Sequence, residues 1–147
     1  DDVDGGYVEL TSPAFDLTGY TNPVLYYSRW FYNTQGPGGS NPNDSLTIRV
    51  SNGISTVVID NVGFNSPGLS SWVDVTKFLN SYITPTANMH LIIKVEDIPS
   101  GNVTEGGFDK FQISDGPLAV NEIPSTINSF NVYPNPFTAN AYINYIS

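Results

Sequence analysis

Between residues 7 and 113 the apolar side chains fall in short alternating runs, broken by clusters of Gly, Pro and Asn. Alternation with a period of about 2 is the signature of a strand buried on one face, whereas a surface helix would repeat every ~3.6 residues. Helical bundles and alternating helix–strand folds are thereby excluded. Antiparallel strands joined by turns remain.

The runs predict strands at 6–10, 24–33, 45–51, 56–62, 72–75, 89–95 and 108–113, with a further one at 14–17. Punctuation comes from Gln35-Gly36-Pro37-Gly38-Gly39, Asn52-Gly53, Ser66-Pro67-Gly68 and Pro99-Ser100-Gly101, of which Asn52-Gly53 is the strongest hairpin signal. Residues 76–83 fit either one or two helical turns or a strand followed by a loop. The expected fold is an all-β antiparallel β-sandwich of jelly-roll type over residues 1–114. An extended linker follows over 115–128, which holds Pro117 and Pro124. In 129–147, Phe130, Val132, Ile143 and Tyr145 suggest a partial β hairpin around a proline-rich turn. The 147 residues suffice for one domain with a full core, and the abrupt acidic start at Asp1 suggests a piece of a longer protein.

Charge narrows the partners. Fourteen acids against 5 bases give a formal charge of -9, which opposes phosphate backbones and anionic membranes and favours divalent cations. Nucleic acid is not expected. Membrane insertion is not expected either, since no apolar run approaches the ~20 residues of a spanning helix. Without cysteine there is no disulfide framework, thiolate metal site or cysteine nucleophile. A monomer is expected.

The sequence assigns no catalytic residue. His90 is the only histidine, and strand parity turns it outward with Lys94, away from Met89, Leu91, Ile93 and Val95. No nucleophile elbow, phosphate loop or dinucleotide fingerprint occurs. Paired carboxylates could cleave glycosides, but small antiparallel modules seldom do so.

Some acids share the parity of core residues. Asp44 lies in phase with Leu46, Ile48 and Val50, Asp109 with Phe111 and Ile113, and Asp97 with Leu91, Ile93 and Val95. A carboxylate at the edge of a core requires a hydrogen-bond donor, a cation or a metal. With so few bases, calcium is the expected cofactor, because it takes hard oxygen ligands. The candidate metal ligands are Asp4, Asp44, Glu105 and Asp109, with Asp2 and Asp97 behind them. The competing reading has Asp44 and Asp109 capping turns and residues 1–4 frayed.

Aromatic residues supply the candidate ligand face. In the strand at 24–33, Tyr26, Trp30 and Tyr32 form one stripe, and Tyr27 and Phe31 flank Arg29 on the other. Either stripe, if exposed, could stack on sugar rings; either could instead be core.

Two resemblances add to this reading. The segment FNVYPNPFTANAYINY, through Val132, Tyr133, Pro134, Asn135, Pro136 and Phe137 and the alternation Tyr142 to Tyr145, resembles the opening of the C-terminal sorting domain of type IX secretion cargo in Bacteroidetes. It implies export, to the medium or the outer cell surface. The stretches GYVELTSPAFDLTGYTNPVLYYSRWFYN, NPNDSLTIRVSNG, PTANMHLIIKVED and EGGFDKFQI resemble a MAM-like jelly-roll domain of the kind appended to secreted bacterial zinc carboxypeptidases and other hydrolases. In such sandwiches a cation often sits where an acid before the last strand meets the N-terminal segment, which falls here on Asp109, Glu105 and Asp4. MAM domains use cysteines that this chain lacks, so adhesion is not carried over.

The expected function is a non-catalytic, calcium-stabilised accessory module of a secreted, cell-surface-associated hydrolase, a peptidase by the resemblance. Its partners would be the upstream catalytic domain and a polysaccharide or protein substrate. The alternative is a carbohydrate-binding module using an exposed aromatic stripe. A further alternative is an adhesion or protein-interaction domain, which would show a contiguous exposed apolar patch.

Overall fold

Strand parity carries through to the architecture of the computed structural model, which describes residues 5–36, 41–98, 101–117, 129–133 and 142–146. The chain divides into two compact units after Pro117. The first holds seven strands: β1 (Gly6–Thr11), β2 (Pro23–Thr34), β3 (Ser45–Ser51), β4 (Thr56–Gly63), β5 (Val73–Phe78), β6 (His90–Asp97) and β7 (Val103–Asp115). Two sheets result, ordered β1-β6-β3-β4 and β5-β2-β7, with antiparallel pairs throughout. The chain changes sheet at every step except β3 to β4, which is the wrapping of a jelly roll. In the second unit β8 (Ser129–Tyr133) and β9 (Tyr142–Ile146) pair with Phe130 opposite Tyr145 and Val132 opposite Ile143. The linker beyond Pro117 and the proline-rich turn at 134–137 lie outside the described residues.

The core forms where the inward faces meet. Leu25, Tyr27 and Phe31 of β2 pack with Leu46, Ile48 and Val50 of β3, and Leu91, Ile93 and Val95 of β6 complete the layer. Each set is spaced by two residues, as the pleat requires.

Three stretches differ from expectation for local reasons. Residues 14–17 make only an isolated bridge, Phe15 to Met89, although Ser12, Phe15 and Leu17 all donate to the chain that runs beside them. Pro13 interrupts the ladder because it has no N–H to give. Residues 76–83 use both options, with β5 running to Phe78 and a 3-10 turn at Leu79–Ser81. β7 starts well before residue 108, since Glu105, Gly106 and Gly107 pair with Tyr32, Phe31 and Trp30. Glycine is a poor strand former, but a Cβ on Gly106 would lie 2.4 Å from Val95 Cγ2 in the facing sheet.

Two bulges redirect side chains. Ile48 faces Asp60 while Arg49 faces Val58, so Ile59 is the extra residue in β4. Both Ile59 and Asp60 can then turn inward. Asp60 Oδ2 accepts from Arg29 Nε at 2.8 Å and from the Tyr27 hydroxyl at 2.9 Å, and Lys77 Nζ stands 3.9 Å from Oδ1. Arg29 and Asp60 belong to different sheets, and their side chains are only 11% and 13% exposed. The second bulge is in β7, where Tyr26 faces Gln112 and Ser28 faces Asp109, leaving Lys110 and Phe111 against Tyr27. Lys110 takes φ 55° to achieve this, a conformation that a residue with a Cβ adopts only under local constraint.

Removing one member of a buried ion pair leaves the other charge uncompensated. Asp60→Ala is therefore expected to lower unfolding free energy by about 3 kcal/mol in urea titration. Burial, and then the adjacent Asp60 charge, push the Tyr27 phenol far above the usual tyrosine range. A pKa raised in the folded state gives stability that is complete below the unfolded value of 10.0 and is lost as pH rises beyond it. Tyr27→Phe should accordingly lose melting temperature less steeply than the native chain above about pH 10.

Candidate functional site

The β5-β2-β7 sheet has one face against the core and one facing outward. β2 buries Tyr27, Arg29 and Phe31, at 2%, 9% and 0% exposure, so that stripe belongs to the interior. Tyr26, Trp30 and Tyr32 form the outward stripe and are partly exposed. Trp30 and Tyr32 lie with ring centroids 6.2 Å apart and planes 21° from parallel.

A third aromatic joins them. Trp72 immediately precedes β5, whose first residue pairs with Arg29, so the indole starts beside Trp30. From there it reaches across β2 to β7. A Cβ on Gly107 would stand 2.9 Å from Trp72 Cη2 and 3.5 Å from Trp30 Cβ. Only glycine at 107 leaves room for that ring. Trp72 is 56% exposed, and Tyr32 pairs in register with Glu105, so the aromatic run ends beside a carboxylate. Further along the same face Asp74 accepts from the Ser28 hydroxyl, and Lys110 Nζ lies 3.3 Å from Asp74. The Ser28 bond, followed by the Lys110 bond and charge, holds the Asp74 carboxyl below the ordinary aspartate value. Tyr26, Thr76, Lys110 and Gln112 border a shallow cleft of about 220 Å³ beside it.

Trp72, expected to open a strand, lies one residue before β5, and it carried no signal of its partners, because the neighbours of β5 are set by a pairing of distant segments. The acids sort in a different way. Asp44 is 2% exposed and Asp97 3% exposed, both inward as their parity indicates. Asp44 Oδ2 accepts from Asn33 Nδ2 at 2.7 Å and from the Thr104 hydroxyl, while Oδ1 accepts from Ile98 N at 2.7 Å. Asp97 Oδ2 accepts from Gly5 N at 2.7 Å. Nearby, Asn102 Nδ2 donates to Asn43 Oδ1 at 2.6 Å and to the Asn41 carbonyl at 3.3 Å. Asn33 Oδ1 is buried and has no hydrogen-bond partner. Asn33 shares the parity of Phe31, and a polar residue in core phase at a strand end was the signal that could have found it.

Asp109 and Glu105 stand elsewhere. Asp109 is exposed on the outward face, and its carboxylate accepts from Lys110 N at 2.7 Å. The bulge at Lys110 is the reason: it reverses parity within β7, so that Phe108 and Ile113 both pack against the core. Glu105 faces outward beside Tyr32. Asp2 and Asp4 lie outside the described residues. Among the described residues no three His, Cys, Asp or Glu side chains converge to hold a metal. His90 is half-buried, with Nδ1 3.0 Å from the Ser12 carbonyl and Nε2 3.3 Å from Asn88 Oδ1.

No protein-family model, curated protein or solved structure matches the chain.

Asp44→Ala would remove the acceptor shared by the Asn33 amide, the Thr104 hydroxyl and the Ile98 N–H, and the expected loss is about 3 kcal/mol of unfolding free energy, read by chemical denaturation.

Proposed function

We propose that this chain is a non-catalytic module of a secreted, cell-surface-associated hydrolase, and that it binds polysaccharide on the outward face of its β5-β2-β7 sheet. The observation that carries the reading is the continuous run of Trp72, Trp30 and Tyr32 laid over Gly107. Aromatic rings offer flat apolar faces to the C–H faces of sugars, and the flanking polar groups can take hydroxyls. Glu105 and Gln112 supply acceptors and donors at either end of this face. The likeness of residues 132–137 to a sorting-domain opening supports export of the parent protein, and the likeness of the sandwich to modules appended to hydrolases supports an accessory role.

A second reading, calcium stabilisation, is favoured by one observation. Asp44 accepts from the Asn33 amide, whose buried Oδ1 lacks a partner, and from the N–H of Ile98, the residue that follows a second inward carboxylate, Asp97. Carboxylate, amide and carbonyl oxygens are the donors calcium prefers, and a carboxylate already accepting hydrogen bonds keeps lone pairs for a cation. Asp44, Asp97, Asn33 Oδ1 and the Asn41 carbonyl would hold the ion. Its chemistry there would be to neutralise charge and fasten the sheet ends.

Affinity electrophoresis through gels containing soluble polysaccharides tests the first reading. Retardation in at least one gel is expected, with Trp72→Ala weakening Kd by at least about tenfold, or ~1.4 kcal/mol. Unretarded migration in every gel would remove it. For the second, calcium should raise the melting midpoint, EGTA should reverse the gain, and Asp97→Asn should abolish it. An unchanged midpoint in all conditions rejects the ion.

A further inference from the structure

The two sheets are unequal, with four strands facing three. β4 lies over the β2 and β5 side through the Asp60 cluster, and β6 lies over β7 through Val95 and Gly106. β1 therefore overhangs the end of the sandwich, opposite a strand position that would adjoin β7. Among the described residues no strand pairs with that second edge of β7.

The side chains beneath the overhang are apolar and open to solvent. Val8 and Leu10, in phase with the core, are each 61% exposed. They line an apolar groove of about 200 Å³ with Ile93, Val95 and Phe108. A neighbouring groove of about 260 Å³ shares Leu10, Ile93 and Phe108 and extends to Phe111, which is 44% exposed. The two make one trough along the gap between β1 and β7. An exposed apolar surface beside an unpaired strand edge is the setting in which an added strand gains both backbone hydrogen bonds and burial.

Charge specifies the occupant. Residues 105–109 of β7 form the regular edge before the bulge at Lys110. On this segment Phe108 faces inward, and Glu105, Gly107 and Asp109 face outward. A strand laid against it would place alternate residues over Leu10 and Phe108 and the intervening ones beside Glu105 and Asp109. We propose that this edge takes an extended peptide strand, alternating apolar and basic residues, as the eighth strand of the jelly roll. Apolar side chains fill the trough. Lysine or arginine meets the two carboxylates on the outer face.

Calorimetric titration of the full chain with acetylated peptides of about seven residues, long enough for one strand, provides the test. The probes alternate lysine with valine, glutamate with valine, and lysine with serine. The lysine–valine peptide is expected to bind saturably and at least about tenfold tighter than either of the others. Glu105→Lys combined with Asp109→Lys should reverse the order of the two valine peptides. Leu10→Asp should abolish saturable binding while the circular dichroism spectrum and melt stay native-like, Leu10 being largely exposed. Equal binding of the lysine–serine peptide would mean general attraction to an acidic surface and overturn the proposal. No saturable binding would do the same, as would a dimer in sedimentation that Leu10→Asp dissociates, since the edge would then belong to a second copy.

Discussion

The ion pair between Arg29 and Asp60 is the interaction that most nearly makes two sheets into one sandwich. Dispersion and burial hold apolar faces together without direction, and they would tolerate one sheet sliding over the other. An ionic hydrogen bond at 2.8 Å between β2 and β4, shared with the Tyr27 hydroxyl, does not tolerate sliding. Asp60 pairs with Ile48 in the phase of Val62, and the Ile59 bulge beside it turns a further apolar side chain inward. Asp44 acts comparably at another end, joining Asn33 of β2 and Thr104 of β7 to the chain just after β6.

With the sheets aligned in this way, the faces of β2 acquire separate tasks. Its inward stripe is consumed by the core and the Asp60 cluster, which leaves the outward stripe to meet solvent. The strand is central in its sheet, so residues from β5 and β7 flank that stripe on both sides. Trp72 and Glu105 come from sequence positions far from Trp30, yet they stand next to it or to Tyr32. The proposed polysaccharide face is a product of sheet order more than of any one segment.

Strand parity made much of this legible in advance. It placed Asp44 and Asp97 inward, because β3 and β6 pair with each other without interruption. It recovered the inner and outer stripes of β2 as sets, although not which set was buried, since that depends on which side the second sheet covers. It failed at Asp109, where Lys110 in a left-handed conformation shifts the count by one. Nothing in the composition of 103–115 marks the site of a bulge, because the residue forced into positive φ is not a glycine or an asparagine. Asn33 lies in the same inward phase but, as a neutral amide, carries no charge to mark it. The shortness of the second sheet was likewise hidden, since strand count says nothing about how strands are shared between layers.

Both tryptophans of the chain, Trp30 and Trp72, stand on the outward face of one sheet. The fluorophores are therefore optical reporters of that face, and the interior is lined by aliphatic side chains with Tyr27 and Phe31. Emission from this protein follows the solvation of an external surface. An unfolding curve traced by tryptophan fluorescence will register loosening of β5 or a stacked ligand before it registers melting of the core. Curves traced by peptide-bond absorption, which average over both sheets, need not coincide with it.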